Sequence, residues 1–102
     1  SKALVVAYGV HETGVREVIG IDIGEVESGG FWIEFLRSLR ARGLDGVRLA
    51  VSDHHEGLKH AIAQVLACPW QRCTVHYADA PVMPTGRGKA REIGGSLAVM
   101  SA

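Results

Sequence analysis

Asp53, His54, His55 and Glu56 are four consecutive ionisable side chains, and Cys73 and His76 follow with two residues between them. Asp53 comes directly after an apolar run that reads as a strand and before one that reads as a helix. That junction, at the carboxyl end of a sheet, is where α/β enzymes keep their sites. A carboxylate there suits a hard cation such as Mg²⁺, which takes oxygen ligands, often one or two carboxylates with phosphate and water. It also suits a helix start, because Asp53 and Glu56 have the spacing of a capping box. The two roles are compatible and spacing alone leaves both open. His54 and His55 add imidazoles able to ligate or to move protons, although adjacent histidines in a first helical turn also serve as plain solvated surface.

Cys73 and His76 form a C-x-x-H pair on a run that reads as a strand, where a period of two sends their side chains to opposite faces. A structural zinc site wants four ligands, and Cys68 is the only other thiol, so zinc has little support. Both cysteines are expected as free thiols. Neither a phosphate-binding glycine loop nor a nucleophile elbow occurs, which leaves nucleotide binding and triad hydrolysis without a motif.

The elements that must position these residues follow from periodicity. Ala3 to Val10 and Glu17 to Ile23 are rich in Val, Ile and Leu, and the turn residues between them predict an antiparallel hairpin. In the second run Ile19, Ile21 and Ile23 alternate with Val18, Gly20 and Asp22, which predicts one apolar and one mixed face. Phe31, Trp32, Phe35, Leu36 and Leu39 recur at helical spacing, and Gly43 provides a C-cap. Val47 to Ser52 is a third strand. Leu58, Ala61, Ile62, Val65 and Leu66 mark a second helix ending near Cys68 and Pro69, and Trp70 to Tyr77 alternates as a fourth strand. The order strand, strand, helix, strand, helix, strand predicts an α/β domain with helices packed on a mixed sheet. From Ala78 to Ala102 no period persists, so 78–102 reads as an irregular or disordered tail.

A chain of 102 residues with a 47 % hydrophobic share has room for one globular core. Its formal net charge is zero, distributed unevenly: residues 1–30 are acid-rich and the rest compensates. No basic patch stands out, so duplex DNA is expected to bind weakly and in a salt-sensitive manner. Neither a spanning apolar run nor a secretory signal is visible, which predicts a cytoplasmic protein without a membrane partner.

Taken in order, Ser1 to Gly9, Arg16 to Glu27, Phe31-Trp32 with Phe35 to Leu39, Arg42-Gly43-Leu44, Ser52-Asp53 with Glu56-Gly57-Leu58, and Trp70 to Tyr77 resemble the catalytic core of Mutator-type bacterial insertion-sequence transposases. The resemblance covers residues 1–77. It implies an RNase H-like fold whose Asp-Asp-Glu triad holds two Mg²⁺ or Mn²⁺ ions to cut and join DNA at element ends. Asp53 stands at the second triad position, while Cys73 and His76, with His54, would support the site. The first Asp would lie on a strand before Ser1 and the Glu on a segment beyond the C-x-x-H strand. The resemblance thus implies an internal fragment: an incomplete RNase H-like fold with its central first strand missing and two of three carboxylates absent. Such a fragment is expected to be inactive alone and to self-associate through orphaned strand edges. The alternative is a small regulatory or binding module that associates with full-length transposase.

Overall fold

The computed structural model describes residues 2–11, 13, 15–73 and 95–101. Strand β1 (Ala3–Val10) pairs antiparallel with β2 (Arg16–Gly24), helix α1 (Gly29–Ala41) follows, then β3 (Leu49–Ser52) and helix α2 (Glu56–Ala61). The α2 helix widens into a π-helical turn, Ile62–Leu66, before β4 (Trp70–Arg72) and β5 (Ser96–Ser101). The five strands form one mixed sheet in the order β2-β1-β5-β3-β4, with helices packed on one face.

The hairpin contains a correction. The alternation of Ile19, Ile21 and Ile23 predicts a shared face, yet Ile19 is 3 % exposed while Ile21 and Ile23 are each 63 % exposed. A β-bulge is responsible: Ala7 pairs with Gly20 but Tyr8 pairs with Val18, so Ile19 is the extra residue and turns towards the helices. The bulge also aims Gly20 at α1, where an added Cβ would stand 2.7 Å from a Leu39 methyl carbon. Leu39 is fully buried, and the missing side chain is what lets the helix settle onto the strand.

Helix α1 buries Trp32, Phe35, Leu36 and Leu39, the stripe that its spacing predicts. The Trp32 indole donates to the Val26 carbonyl at 2.7 Å, so the largest core side chain is both buried and satisfied. Arg42 caps the helix, and Gly43 follows with φ 108°, which a residue with a side chain rarely adopts. Its amide donates to the Arg40 carbonyl at 3.0 Å. The third strand is shorter than the expected Val47 to Ser52, beginning at Leu49. Helix α2 ends where expected, but through a turn in which the Ala67 amide reaches the Ile62 carbonyl at 3.0 Å and Ala67 enters the left-handed region. The wider turn keeps Ile62 and Val65 on the buried side beside Leu58 and Ala61. The fourth strand is described over Trp70–Arg72; Thr74 to Tyr77 lie outside the described residues.

The largest departure concerns the centre of the sheet. The sequence leaves β1 and β3 with unpaired edges and assigns 78–102 to irregular chain; residues 78–94 and 102 are outside the described set, but Ser96–Ser101 is a strand. It lies between β1 and β3, antiparallel to the first and parallel to the second. Leu97, Ala98 and Val99 are fully buried. Six residues, Ser-Leu-Ala-Val-Met-Ser, carry too little periodic signal to stand out, and two unsatisfied edges with an apolar slot between them select such a segment. The expected self-association through orphaned edges therefore loses its premise.

Gly95 fixes where this strand enters. A Cβ there would lie 2.2 Å from the Val10 carbonyl oxygen, and the Gly95 carbonyl accepts from the Arg48 amide at 2.9 Å. Because the obstructing atom is backbone, Gly95→Ala must displace a central strand, and a loss of about 1–3 kcal/mol is expected in denaturant unfolding. An unchanged midpoint would mean that β5 enters elsewhere.

Candidate functional site at the carboxyl end of the central strands

The parallel strands β3 and β5 end side by side, with Ser52 aligned to Val99. Asp53 leaves the end of β3 and Ser101 occupies the end of β5. The Ser101 amide faces Asp53 Oδ2 at 3.4 Å and the Ser101 hydroxyl faces the same oxygen at 3.5 Å, both long contacts. His55 Nε2 shares a hydrogen bond with the Ser101 hydroxyl at 3.3 Å. His54 turns away, meeting Glu56 Oε1 at 3.2 Å and the Trp70 ring at a centroid separation of 6.0 Å.

The capping-box reading of Asp53 does not hold. Helix α2 starts at Glu56, its N-cap is His55, and no side chain caps it. The chain stays extended through His55, at φ −129° and ψ 120°, which carries Asp53 away from the first helical turn and towards β5. Gly57, in the first turn, lets this helix pack closely on the start of α1: a Cβ on it would sit 3.3 Å from the Gly29 Cα and 3.3 Å from Trp32 Cδ1. The two helix starts approach backbone to backbone, and the Trp32 and His55 rings meet at 5.7 Å.

A second layer holds the Asp53 backbone. Ser52 is the one buried polar residue among those described, and its hydroxyl donates to the Asp53 carbonyl at 2.8 Å while accepting from the Trp70 indole at 2.7 Å. The Trp70 ring carries Lys59 Nζ 5.0 Å from its centroid, a cation–π contact. Sequence reasoning missed Ser101, His55 as the residue facing it, and Trp70. Only the Ser52-Asp53 pairing with a downstream tryptophan hinted at the last.

The Cys73 amide donates to the Ser52 carbonyl at 2.8 Å, so the chain leaving β4 runs beside the site. His76 lies outside the described residues, and the C-x-x-H geometry with it. Both cysteines are free, and burial pushes the Cys68 thiol above its ordinary pKa, which favours the unreactive protonated form.

Chemically, the cluster offers one half-buried carboxylate, one hydroxyl and one imidazole at its centre. No group of three or more His, Cys, Asp or Glu among the described residues is arranged to hold a metal ion. A pair of divalent ions needs several anionic oxygens, so these donors do not fit the two-metal arrangement. No helix among the described residues is long and apolar enough to cross a membrane.

The sequence profile described as "Transposase, Mutator family" matches residues 1–100. The transposase for insertion sequence element IS1081 of Mycobacterium tuberculosis is 50 % identical over 74 residues, covering 72 % of this chain and 18 % of that protein. The transposase for insertion sequence element IS406 of Burkholderia multivorans is 42 % identical over 91 residues, covering 88 % of this chain and 24 % of that protein. The transposase for insertion sequence element IS256 in transposon Tn4001 of Staphylococcus aureus is 42 % identical over 78 residues, covering 76 % of the chain and 20 % of its own length. The chain spans about a fifth of the length of these curated relatives. With the family profile matching nearly its whole length, this chain belongs to the Mutator family of transposases.

Proposed function

We propose that the chain is a portion of the catalytic core of an insertion-sequence transposase, an RNase H-like domain of the cytoplasm that acts on DNA ends. In the intact enzyme Asp53 is one of the carboxylates that hold Mg²⁺ or Mn²⁺ for cutting and joining DNA. Residues 1–77 carry the ordered motifs of this core and β5 completes its sheet, with Cys73, His76 and His54 supporting the site. The portion alone does not cut DNA. The position of Asp53 carries this reading: it stands at the carboxyl end of a parallel strand, beside the end of the central strand, with its backbone held by Ser52 and its carboxylate left half-exposed.

Divalent metal in the intact enzyme would supply charge to activate an attacking oxygen and to stabilise a leaving one. Here a single carboxylate faces a hydroxyl, and no step is assigned to the metal in this chain. A second reading is a regulatory module that associates with full-length transposase. It is favoured by β5, which closes the sheet without adding a carboxylate.

Calorimetric titration with Mn²⁺ and a cleavage assay on insertion-sequence ends test the fragment reading together. The expected result is no DNA strand cut and a Mn²⁺ affinity no tighter than about millimolar, because hard cations with few anionic ligands keep their water. Micromolar Mn²⁺ binding and DNA cleavage, both lost in Asp53→Asn, would overturn it.

A further inference from the structure

We infer that the DNA strand presented to Asp53 crosses the β4 side of the site, with its phosphates gripped by Lys59 and Arg72. This rests on the reading of the chain as part of a DNA-acting core and adds the path of the strand. The direction comes from the charge at this end of the sheet. Strands β3, β4 and β5 run parallel and end together, Ser52 standing in register with Arg72 on one side and Val99 on the other. Strand β2 closes at the same end, since β1 is antiparallel to both β5 and β2. Asp22, Glu25 and Glu27 are exposed at and just beyond the close of β2, with Lys2 at the start of β1, which leaves that side acidic. Lys59 and Arg72 are exposed on the opposite side, where Glu56 is matched to the His54 imidazole at 3.2 Å. A polyanion approaching Asp53 is therefore repelled from the β2 side and drawn to the β4 side.

Lys59 is held in position for this. Its ammonium lies 5.0 Å from the centroid of the Trp70 ring, a cation–π contact. The ring is itself fixed, because its indole donates to the Ser52 hydroxyl at 2.7 Å and that hydroxyl donates to the Asp53 carbonyl at 2.8 Å. The cation–π contact and these hydrogen bonds thus tie the ammonium to the backbone of Asp53. A lysine that grips a phosphate gives up rotamer freedom, and here part of that ordering is already in place.

Arg72 adds the second cation. It stands two residues after Trp70 on β4, so the strand period puts both side chains on one face. Trp70 packs against the core beneath the helices, so this is the face that carries α2 and Lys59. Contacts of this kind reach phosphates and not base edges, and they orient the strand without selecting its sequence.

The test is titration of the full chain with a short DNA duplex of arbitrary sequence, followed by anisotropy and by the two indole N–H resonances. The half-buried Trp70 indole should shift, while the fully buried Trp32 indole serves as the reference and shifts less. At about 50 mM salt, Lys59→Gln and Arg72→Gln should each weaken binding about tenfold and lower the slope of log affinity against log salt by about one. Lys59→Arg, which keeps the charge, should bind as the unsubstituted chain does. Arg37→Gln removes an exposed charge from the second half of α1 and should also leave binding unchanged. Equal weakening by all three glutamine variants would indicate diffuse attraction to charge and overturn the inference. An equal Trp70 shift with inorganic phosphate at matched phosphate concentration would mark an isolated anion site and overturn it as well. DNA binding that persists in Lys59→Gln and Arg72→Gln without moving the Trp70 resonance would overturn this path alone and leave the catalytic-core reading standing. Absence of any DNA binding at low salt would overturn both.

Discussion

Truncation after residue 94 abolishes the cooperative thermal transition of this domain, as the expected result of removing its central strand. Leu97 and Val99 are fully buried between the sheet and the helices, and burying side chains of this size is worth about 1.5–3 kcal/mol each. Ala98 is fully buried too, and pairing is lost along both β1 and β3. Orphaned strand edges add a further cost, since unpaired amides and carbonyls must find water or another chain. Set against a typical domain stability of roughly 5–15 kcal/mol, the combined loss leaves no folded state of consequence. The measurement is a melt followed by circular dichroism alongside light scattering. The truncated chain should show a broad transition and aggregate, and a peptide spanning residues 95–102 added in excess should restore a sharp one. A truncated chain that melts as cooperatively as the full one would show that β5 is an accessory strand.

Metal binding at the Asp53 site should appear on changing one residue of β5. The Ser101 hydroxyl lies 3.5 Å from Asp53 Oδ2, so a carboxylate at that position can share a cation with Asp53. Without metal, Ser101→Asp should melt below the unsubstituted chain, because two carboxylates so close disfavour each other's charged forms. Adding Mn²⁺ should reverse the order. At about one hundred times the dissociation constant a bound ligand contributes roughly 2.7 kcal/mol, which for a domain of this size raises the melting temperature by about 10–20 °C. Ser101→Asn provides the control, with similar shape and no added charge, and should show no such response. If Ser101→Asp gains nothing from Mn²⁺, the two strand ends are not adjacent as described, and the proposed place of Asp53 in a metal site loses its geometric basis.

These two outcomes turn on the same six residues, which differ sharply from the rest in how much local sequence revealed. The helix that buries Trp32, Phe35, Leu36 and Leu39 was legible because a long element repeats its apolar stripe several times. Gly43 was legible as a stop, since backbone strain at a left-handed position excludes most other residues. The hairpin strands were legible as strands, yet the side on which Ile21 and Ile23 lie was not. A single bulged residue reverses the alternation, and it is chosen by Gly20 allowing Leu39 close, a fact of packing.

Around Asp53 the sequence determined the position of the carboxylate, at the end of a strand and before a helix, and the ordered motifs that the Mutator family shares. Tertiary structure decided what that carboxylate does locally. Spacing with Glu56 suggested a cap, but the chain stays extended through His55, the helix starts only at Glu56, and Asp53 is left facing Ser101. That pairing joins residues 48 positions apart. No local pattern encodes it, because the neighbour of Asp53 is chosen by which segment fills the gap between β1 and β3. Short-range periodicity thus determined the elements and their order, while the need to pair two strand edges and fill one apolar slot decided the centre of the sheet and the surroundings of Asp53.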